Sequence, residues 1–288
     1  MDTNADLRAR AVAIASERLR AAKPGTPFID QPAGYVVDWA DNLVAGVTPA
    51  DFESDLRRGS GNELDDQPDA PAKFRAAYSS SALAVNTFGP FRHAASRLTL
   101  AGISEFSDVE FEYPCDNGLQ GTNPNFDLFA RTRYSVVAVE SKFLEPLSCK
   151  PADFSPQYAR AFIGADQRPN AEEPWVRMYR RLCSDPLTYR YLDAAQLVKH
   201  YLGLWHSFPE LNRTLFYLYW EPANASELAA YRDFRREITD FALAVAGCDT
   251  RFVAKSYRAQ LQEWQHNRAH LDLTSHLERL HQRYDFAV

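Results

Sequence analysis

The sequence predicts an α/β fold in which a mixed central β-sheet is flanked by helices on both faces, with an N-terminal helical extension packed on this core. Three observations support this prediction. Short segments with strand-like patterns cluster in the middle of the chain, amphipathic helical segments surround them, and Pro- and Gly-rich segments separate the two kinds of element. With 288 residues, of which 45% are hydrophobic, the chain is long enough to bury a sizeable core.

The first part of the chain is predicted to be helical. Residues 5–22 are rich in Ala and Arg, which favour a helix, and Pro24 prevents the helix from continuing. Short helices are expected over residues 35–58, and a loop rich in Gly and Pro follows them. We therefore divide the chain into an extension over residues 1–58 and a main domain over residues 59–288.

The main domain alternates between predicted strands and helices. A strand over 134–143 has an uninterrupted apolar centre, which indicates that this strand is covered on both faces of the sheet. Residues 146–187 are expected to form short helices and loops. The predicted strands cover residues 106–113, 125–130, 134–143, 215–220 and 251–254. The predicted helices cover residues 79–88, 91–100, 189–205, 226–246 and 257–283.

A carboxylate and an ammonium group stand at the end of the third strand. Side chains alternate between the two faces of a strand, so Glu140 and Lys142 point the same way and Ser141 points the other way. Such a pair can be a simple salt bridge at the end of a strand. A second carboxylate, Asp127, on the preceding strand makes a catalytic site the stronger interpretation.

The turn between these two strands decides whether Asp127 shares the face of Glu140. A turn of even length centred near Thr132-Arg133 pairs Asp127 with Ala138, diagonal to Glu140 and on the same face. A turn of odd length without a bulge would place Asp127 on the opposite face. The even turn predicts that both carboxylates can reach one cation.

Two carboxylates and one lysine at this position suit phosphodiester hydrolysis. Carboxylate oxygens bind Mg²⁺, and a bound metal polarises a phosphate and activates water. We expect Asp127 and Glu140 to be metal ligands, with the backbone carbonyl of Ser141 as a third, and Lys142 to position or activate the attacking water.

This pattern resembles the PD-(D/E)XK nuclease superfamily, in its bacterial restriction-endonuclease-like branch. The resemblance covers about residues 60–256 and consists of Asp127, twelve intervening residues and then Glu140-Ser141-Lys142, within the order helix, three strands, helix and strand. The sequence has Phe126 before the Asp, where the name-giving motif has Pro. The resemblance implies a restriction-endonuclease-like core and a nuclease activity that depends on Mg²⁺, for which Mn²⁺ can substitute.

The resemblance also implies further site residues. Members of the superfamily often use a further acidic residue from the helix that precedes the first strand, and Glu63 is the first candidate, although it also suits a solvated loop. Gln196 is an auxiliary candidate on the helix after the motif, and His200 follows one turn later on the same face. The alternatives to Glu63 are Glu105, Glu110 and Glu112.

Composition limits the class of protein. A net charge of −6 argues against broad phosphate binding, and the four cysteines have no zinc-ligand spacing, so we expect them to be reduced and mostly buried. The first twenty residues mix acidic and basic residues with Ala, and no apolar segment is long enough to span a membrane. We therefore expect a cytoplasmic protein without membrane association.

The sequence favours an endonuclease that hydrolyses phosphodiester bonds of nucleic acid, with DNA preferred as the substrate and a role in restriction, defence or repair. Many enzymes that cut both strands pair two active sites, which leaves a homodimer open. The alternatives are a catalytically silent protein of the same fold that binds nucleic acid or a protein partner, and an α/β protein in which Asp127 and Glu140 have only structural roles.

Overall fold

The chain folds around a five-stranded mixed sheet in which the strands lie side by side in the order of the sequence. The computed structural model describes residues 3–121, 123–148, 150–163, 173–266 and 273–288. The first three strands are antiparallel neighbours, whereas the third, fourth and fifth strands run parallel. The strands are β1 Asp108–Pro114, β2 Asn125–Arg131, β3 Ser135–Lys142, β4 Asn212–Tyr219 and β5 Thr250–Ser256.

The helices form where amphipathic segments pack on this sheet. They are α1 Asn4–Ala22, α2 Glu53–Arg58, α3 Ser80–Phe88, α4 Pro156–Ile163, α5 Pro174–Ser184, α6 Ala194–Ser207, α7 Ala229–Ala244, α8 Tyr257–His266 and α9 Thr274–Tyr284. Helix α6 begins five residues later than the sequence predicts, because the side chain of Asp193 accepts the backbone N–H of Gln196 and caps the helix there. The predicted helix over 257–283 corresponds to α8 and α9, and its centre lies outside the described residues.

The prediction of a helix over residues 91–100 is wrong. Two short 3₁₀ turns, Gly89–Phe91 and Ala95–Arg97, occupy this part of the chain. Pro90 has no N–H to donate, which disfavours a continuous α-helix here. Ala94 then leaves the helical conformation, with φ −142° and ψ 47°.

The register of the β2–β3 hairpin differs from the predicted one by two residues. Phe129, rather than Asp127, pairs with Ala138. The turn is centred one residue later than predicted, because the hydroxyl of Thr132 accepts the N–H groups of both Tyr134 and Ser135. Since the shift is even, it preserves the faces, and continuing the pairing by one residue brings Asp127 level with Glu140.

Helices cover both faces of the sheet, as the sequence predicts. On one face, the Ser141 hydroxyl donates to the carbonyl of Ser80 at the start of α3 and bonds to the hydroxyl of Tyr257 in α8. On the other face, Lys142 contacts Gln196 in α6. The end of β3 is therefore enclosed by three helices, and this enclosure fixes the directions in which its side chains point.

The N-terminal segment packs on the C-terminal end of the chain. Helix α1 contacts α9, and the buried guanidinium of Arg283 in α9 donates to the carbonyl of Ala15 at 2.9 Å, to Asn42 Oδ1 at 3.0 Å and to the carbonyl of Ala77 at 2.9 Å. One side chain thus joins three separate stretches of backbone. The division of the chain after residue 58 stays a prediction.

Two further expectations concern the cysteines and membranes. Cys115 is buried, Cys248 is partly buried and Cys183 is exposed. The expectation that the cysteines are mostly buried is therefore wrong for the three described cysteines. Cys149 lies outside the described residues. Across the described parts of the chain, no helix combines the length and the apolar character that crossing a membrane requires.

We expect replacement of Arg283 by Ala or by Lys to lower the free energy of unfolding by about 3 kcal/mol, because several buried acceptors lose their donor and an ammonium group cannot reproduce the guanidinium fork. Urea denaturation measures this change. The exposed Arg18, whose guanidinium reaches the carbonyl of Gln282 at 3.5 Å, is the matched control, and Arg18→Ala should change stability by less than about 0.5 kcal/mol. Equal stability of the Arg283 and Arg18 variants would contradict this role for Arg283.

Candidate active site

The structure brings together the carboxylate and the ammonium at the end of β3. The ammonium of Lys142 forms an ion pair with Glu140 Oε1 and donates to Gln196 Oε1 at 2.8 Å. Both members of the pair are buried, with Glu140 1% exposed and Lys142 9% exposed. Burial by itself lowers the pKa of Lys142, but the nearby carboxylates, Glu140 foremost, outweigh burial and raise it well above its ordinary value. Without a bound metal, these carboxylates therefore favour the protonated form of Lys142.

Asp127 lies beside this pair and is held by the backbone. Its Oδ2 accepts the N–H of Ser141 at 2.6 Å, a hydrogen bond that crosses from β3 to β2 beyond the last regular pair of the hairpin. Burial and the negative charge of Glu140 raise the pKa of Asp127 well above its ordinary value. The two carboxylates predicted from the sequence are thus close enough to repel each other. A role of the Ser141 carbonyl as a ligand stays a prediction.

The second oxygen of Glu140 faces a histidine. Glu140 Oε2 lies 3.2 Å from His200 Nδ1, and neither atom makes a hydrogen bond of acceptable geometry within the described structure. Burial and the neighbouring cations Lys142 and Lys199 lower the pKa of His200 to about 3, so the imidazole is neutral at physiological pH. Burial raises the pKa of Glu140 to about 7. Within the described structure, Glu140 Oε2 is therefore a buried carboxylate oxygen without a hydrogen-bond donor.

Two further carboxylates adjoin Asp127. Glu63, the first candidate from the sequence, is buried and accepts the hydroxyl of Ser81 at 2.8 Å and the ammonium of Lys73 at 3.0 Å. Glu112 is also buried, and burial together with the charges of Asp127 and Glu63 raises its pKa to about 8. The structure therefore gathers both acidic residues near the predicted metal ligands.

The other two acidic alternatives lie elsewhere. Glu105 is exposed, and Glu110 accepts the guanidinium of Arg58 at 2.6 Å on the outer part of β1. The pairing of β1 with β2 could have singled out Glu112, because Glu112 falls between the pairs Phe111↔Leu128 and Tyr113↔Phe126 and so stands level with Asp127. The sequence alone does not show this pairing, since the loop between β1 and β2 is long.

A glycine-rich loop packs against the side chains of Glu63 and Glu112. A Cβ on Gly61 would lie 3.1 Å from Glu63 Oε1 and 3.3 Å from Glu112 Oε2, and a Cβ on Gly59 would lie only 2.8 Å from the Cβ of Glu112. Glu112 itself has φ +45°, a left-handed conformation that side chains other than glycine rarely adopt. The loop after α2 is therefore closely packed on this site, and side chains at the two glycines would displace it.

A cleft of about 480 Å³ lies at this end of β3. Its lining includes Glu63, Asp127, Glu140, Lys142 and Gln196, together with residues from the N-terminal part of the chain. The site residues that the sequence favours therefore meet in one cavity, whereas the alternatives to Glu63 and the residue His200 are not part of its lining. Glu145 also lines the cleft; it is partly buried and accepts the N–H of Phe143 at 2.6 Å.

Lys199 and two segments rich in basic and aromatic residues do not line the cleft. Lys199 is directed to the rings of Phe154 and Tyr158, with its ammonium 5.5 Å and 5.9 Å from their centres. The basic and aromatic segments 177–181 and 231–236 are helix faces with buried aromatics. Three of their arginines form ion pairs within the protein, Arg181 with Asp240, Arg235 with Glu221 and Arg236 with Asp233.

The donor set fits a hard divalent cation. Asp127 and Glu140 offer carboxylate oxygens, and Glu140 Oε2 is unsatisfied. No group of three His, Cys, Asp or Glu side chains within the described ranges converges closely enough to be a complete set of metal ligands. Mg²⁺ does not require such a set, because it usually retains several waters and binds through one or two carboxylates.

Comparison with known proteins identifies the family. A family model described as "Restriction Endonuclease associating with ARP" matches residues 9–285. No curated protein and no solved structure matches the chain. The mixed five-stranded sheet with helices on both faces is consistent with a restriction-endonuclease-like core. Because the match runs from α1 to the end of α9, nearly the whole chain is accounted for, and the chain belongs to this family of restriction endonucleases.

Proposed function

We propose that this chain is a metal-dependent endonuclease of the PD-(D/E)XK type that hydrolyses phosphodiester bonds of DNA. One observation carries the proposal: Asp127, Glu140 and Lys142 come together at the end of β3, in a cleft large enough for part of a nucleic-acid strand. Membership of a restriction-endonuclease family supports nuclease chemistry and favours a role in restriction or defence over one in repair.

Asp127 and Glu140 are the proposed ligands of Mg²⁺, with Mn²⁺ as a substitute. Glu63 and Glu112 adjoin them and are the candidates for a further acidic contribution. When bound, the metal polarises the phosphate and lowers the pKa of a bound water. A cation also relieves the repulsion that raises the pKa values of these carboxyls, so metal binding is favoured by the same charges that destabilise the metal-free site.

Lys142 contributes a fixed positive charge. The nearby carboxylates raise its pKa well above the ordinary value of a lysine, which favours the protonated form. An ammonium held by Glu140 and Gln196 can orient water and offset the negative charge that develops on the phosphate. Gln196 is therefore proposed to position Lys142, and His200 to limit the movement of Glu140.

Cleavage of plasmid DNA and of single-stranded DNA in the presence of Mg²⁺ or Mn²⁺ tests the proposal. We expect Lys142→Ala to lower the cleavage rate by at least about 100-fold, because the developing charge on the phosphate loses a fixed cation. The matched control is Lys199→Ala, which removes a lysine of the neighbouring helix α6 that points away from the cleft. This control should cleave at the rate of the wild type.

The outcomes of this experiment distinguish the proposed nuclease site from its alternatives. Cleavage that persists equally in a purified, folded Lys142→Ala variant would show that another site or a contaminant is responsible. Absence of cleavage by the wild type on plasmid, single-stranded DNA and RNA, together with absence of metal binding, would favour a catalytically silent protein of this fold.

Metal affinity is expected to depend on pH with a definite sign. Glu140 has a pKa of about 7, and a protonated carboxyl does not bind the metal, so Mn²⁺ affinity should fall by about tenfold for each pH unit below 7 if one proton is displaced. Isothermal titration calorimetry between pH 5.5 and pH 8 measures this change. Asp127→Asn should weaken binding at every pH, because it removes one of the two proposed ligands.

Glu110→Gln is the matched control for this titration, since Glu110 lies on the same strand as Glu112 but contacts Arg58 outside the cleft. Its Mn²⁺ affinity should equal that of the wild type. Affinity that is independent of pH, or that is unchanged in Asp127→Asn, would be evidence against this metal site.

A further inference from the structure

The N-terminal part of the chain contributes aromatic and basic side chains to the lining of the cleft. Arg8 of α1, Tyr35 and Tyr78 are all partly exposed there. The guanidinium of Arg8 lies over the ring of Tyr78, 5.3 Å from its centre. The rings of Tyr35 and Tyr78 meet edge to face, with their centres 6.0 Å apart. The cleft therefore presents π-faces and a cation beside the carboxylates.

Cations without an acidic partner also gather at this cleft. Within the residues that the structure describes, Arg8, Lys150 and Arg190 form no ion pair with a carboxylate; Arg8 instead donates to the carbonyl of Leu144 at 3.2 Å. Lys150 lines both the cleft and a small adjoining cavity of about 50 Å³, and Arg190 lines that cavity. In a chain with net charge −6, this local excess of unpaired cations indicates a binding site for anions.

The size and depth of the cleft restrict the form of the substrate. A volume of about 480 Å³ lies in the range of roughly 300–1,000 Å³ that suits one drug-sized ligand, so the cleft can hold a short part of a nucleic-acid strand. The reacting groups are deep, since Glu140 and Lys142 are almost fully buried. An unpaired strand is flexible enough to bend one phosphate toward these groups, whereas a duplex resists bending over lengths of about 150 base pairs.

We propose that the cleft binds an unpaired nucleic-acid strand. Arg8, Lys150 and Arg190 hold phosphates of the backbone, and the rings of Tyr35 and Tyr78 contact a base. Basic grooves with aromatic side chains hold single strands in this way, with little dependence on sequence. The proposal rests on the proposed nuclease function, because the strand held in this way passes the carboxylates of Asp127 and Glu140, and it specifies the substrate as single-stranded.

Fluorescence anisotropy provides the first test. The probe is a 12-nucleotide oligothymidylate with a 5′ fluorescein, and the comparison is a 12-base-pair duplex with the same label. Ca²⁺ replaces Mg²⁺, and the recovered probe is checked on a gel for cleavage. We expect the full-length wild type to bind the single strand at least about tenfold more tightly than the duplex.

Matched variants assign the binding to the proposed residues. Tyr35→Ala should weaken binding of the single strand by about tenfold, whereas Tyr35→Phe retains the ring and should stay within about twofold of the wild type. Arg8→Gln should lower the slope of log affinity against log salt by about 0.7, because one phosphate contact is lost. Arg133→Gln, in the exposed turn of the β2–β3 hairpin, should leave the slope unchanged.

Each outcome bears on one proposal at a time. Equal or tighter binding of the duplex, or equal affinities of Tyr35→Ala and Tyr35→Phe for the single strand, would overturn the single-strand proposal, even if the enzyme cuts plasmid DNA. Preferential binding of the single strand that depends on Tyr35 and Arg8, but without metal-dependent cleavage of any probe, would support the binding site and overturn the nuclease function.

Discussion

The repulsion among buried carboxylates is the constraint around which this structure is arranged. Glu63, Glu112, Asp127 and Glu140 adjoin one another at one end of the sheet, and burial raises the pKa values of three of them. Such an arrangement opposes folding above the ordinary pKa of a carboxyl, because the folded state must either retain protons or accept unfavourable charge. Lys142 and Lys73 offset part of this charge. We propose that the remaining negative charge favours the binding of a divalent cation.

The packing around the site shows how this unfavourable cluster is maintained. Asp127 is held by a backbone N–H, Glu63 by a hydroxyl and an ammonium, and Glu112 by the close approach of the loop at Gly59 and Gly61. These contacts come from separate parts of the chain and depend on the rigid sheet and on α3. The N-terminal segment is tied to the same framework through Arg283, so the cleft is lined by parts of the chain that are distant in sequence.

The placement of Asp127, Glu140 and Lys142 on one face could be predicted from the sequence because it depends on parity. Alternation along β3 places Glu140 and Lys142 on one face for any strand that spans them, and an even error in the hairpin register leaves Asp127 on that face. The predicted register was wrong because the Thr132 hydroxyl, a local hydrogen-bonding detail, moved the turn. Glu112 and Glu145 could not be singled out, since their positions depend on tertiary packing and on a long loop whose path no local pattern fixes.

The position of the unpaired cations adds a physical argument about the substrate. Phosphate is attracted by Arg8, Lys150 and Arg190 at the cleft but repelled by the carboxylates at its base, so an anion approaching a metal-free site meets opposing fields. Neutralisation of the carboxylates by a cation removes the repulsion and leaves the attraction. Binding of metal and binding of nucleic acid should therefore reinforce each other, since each ligand pays a smaller electrostatic penalty when the other is present. In this way a chain with net charge −6 can hold a polyanion at one place without being basic as a whole.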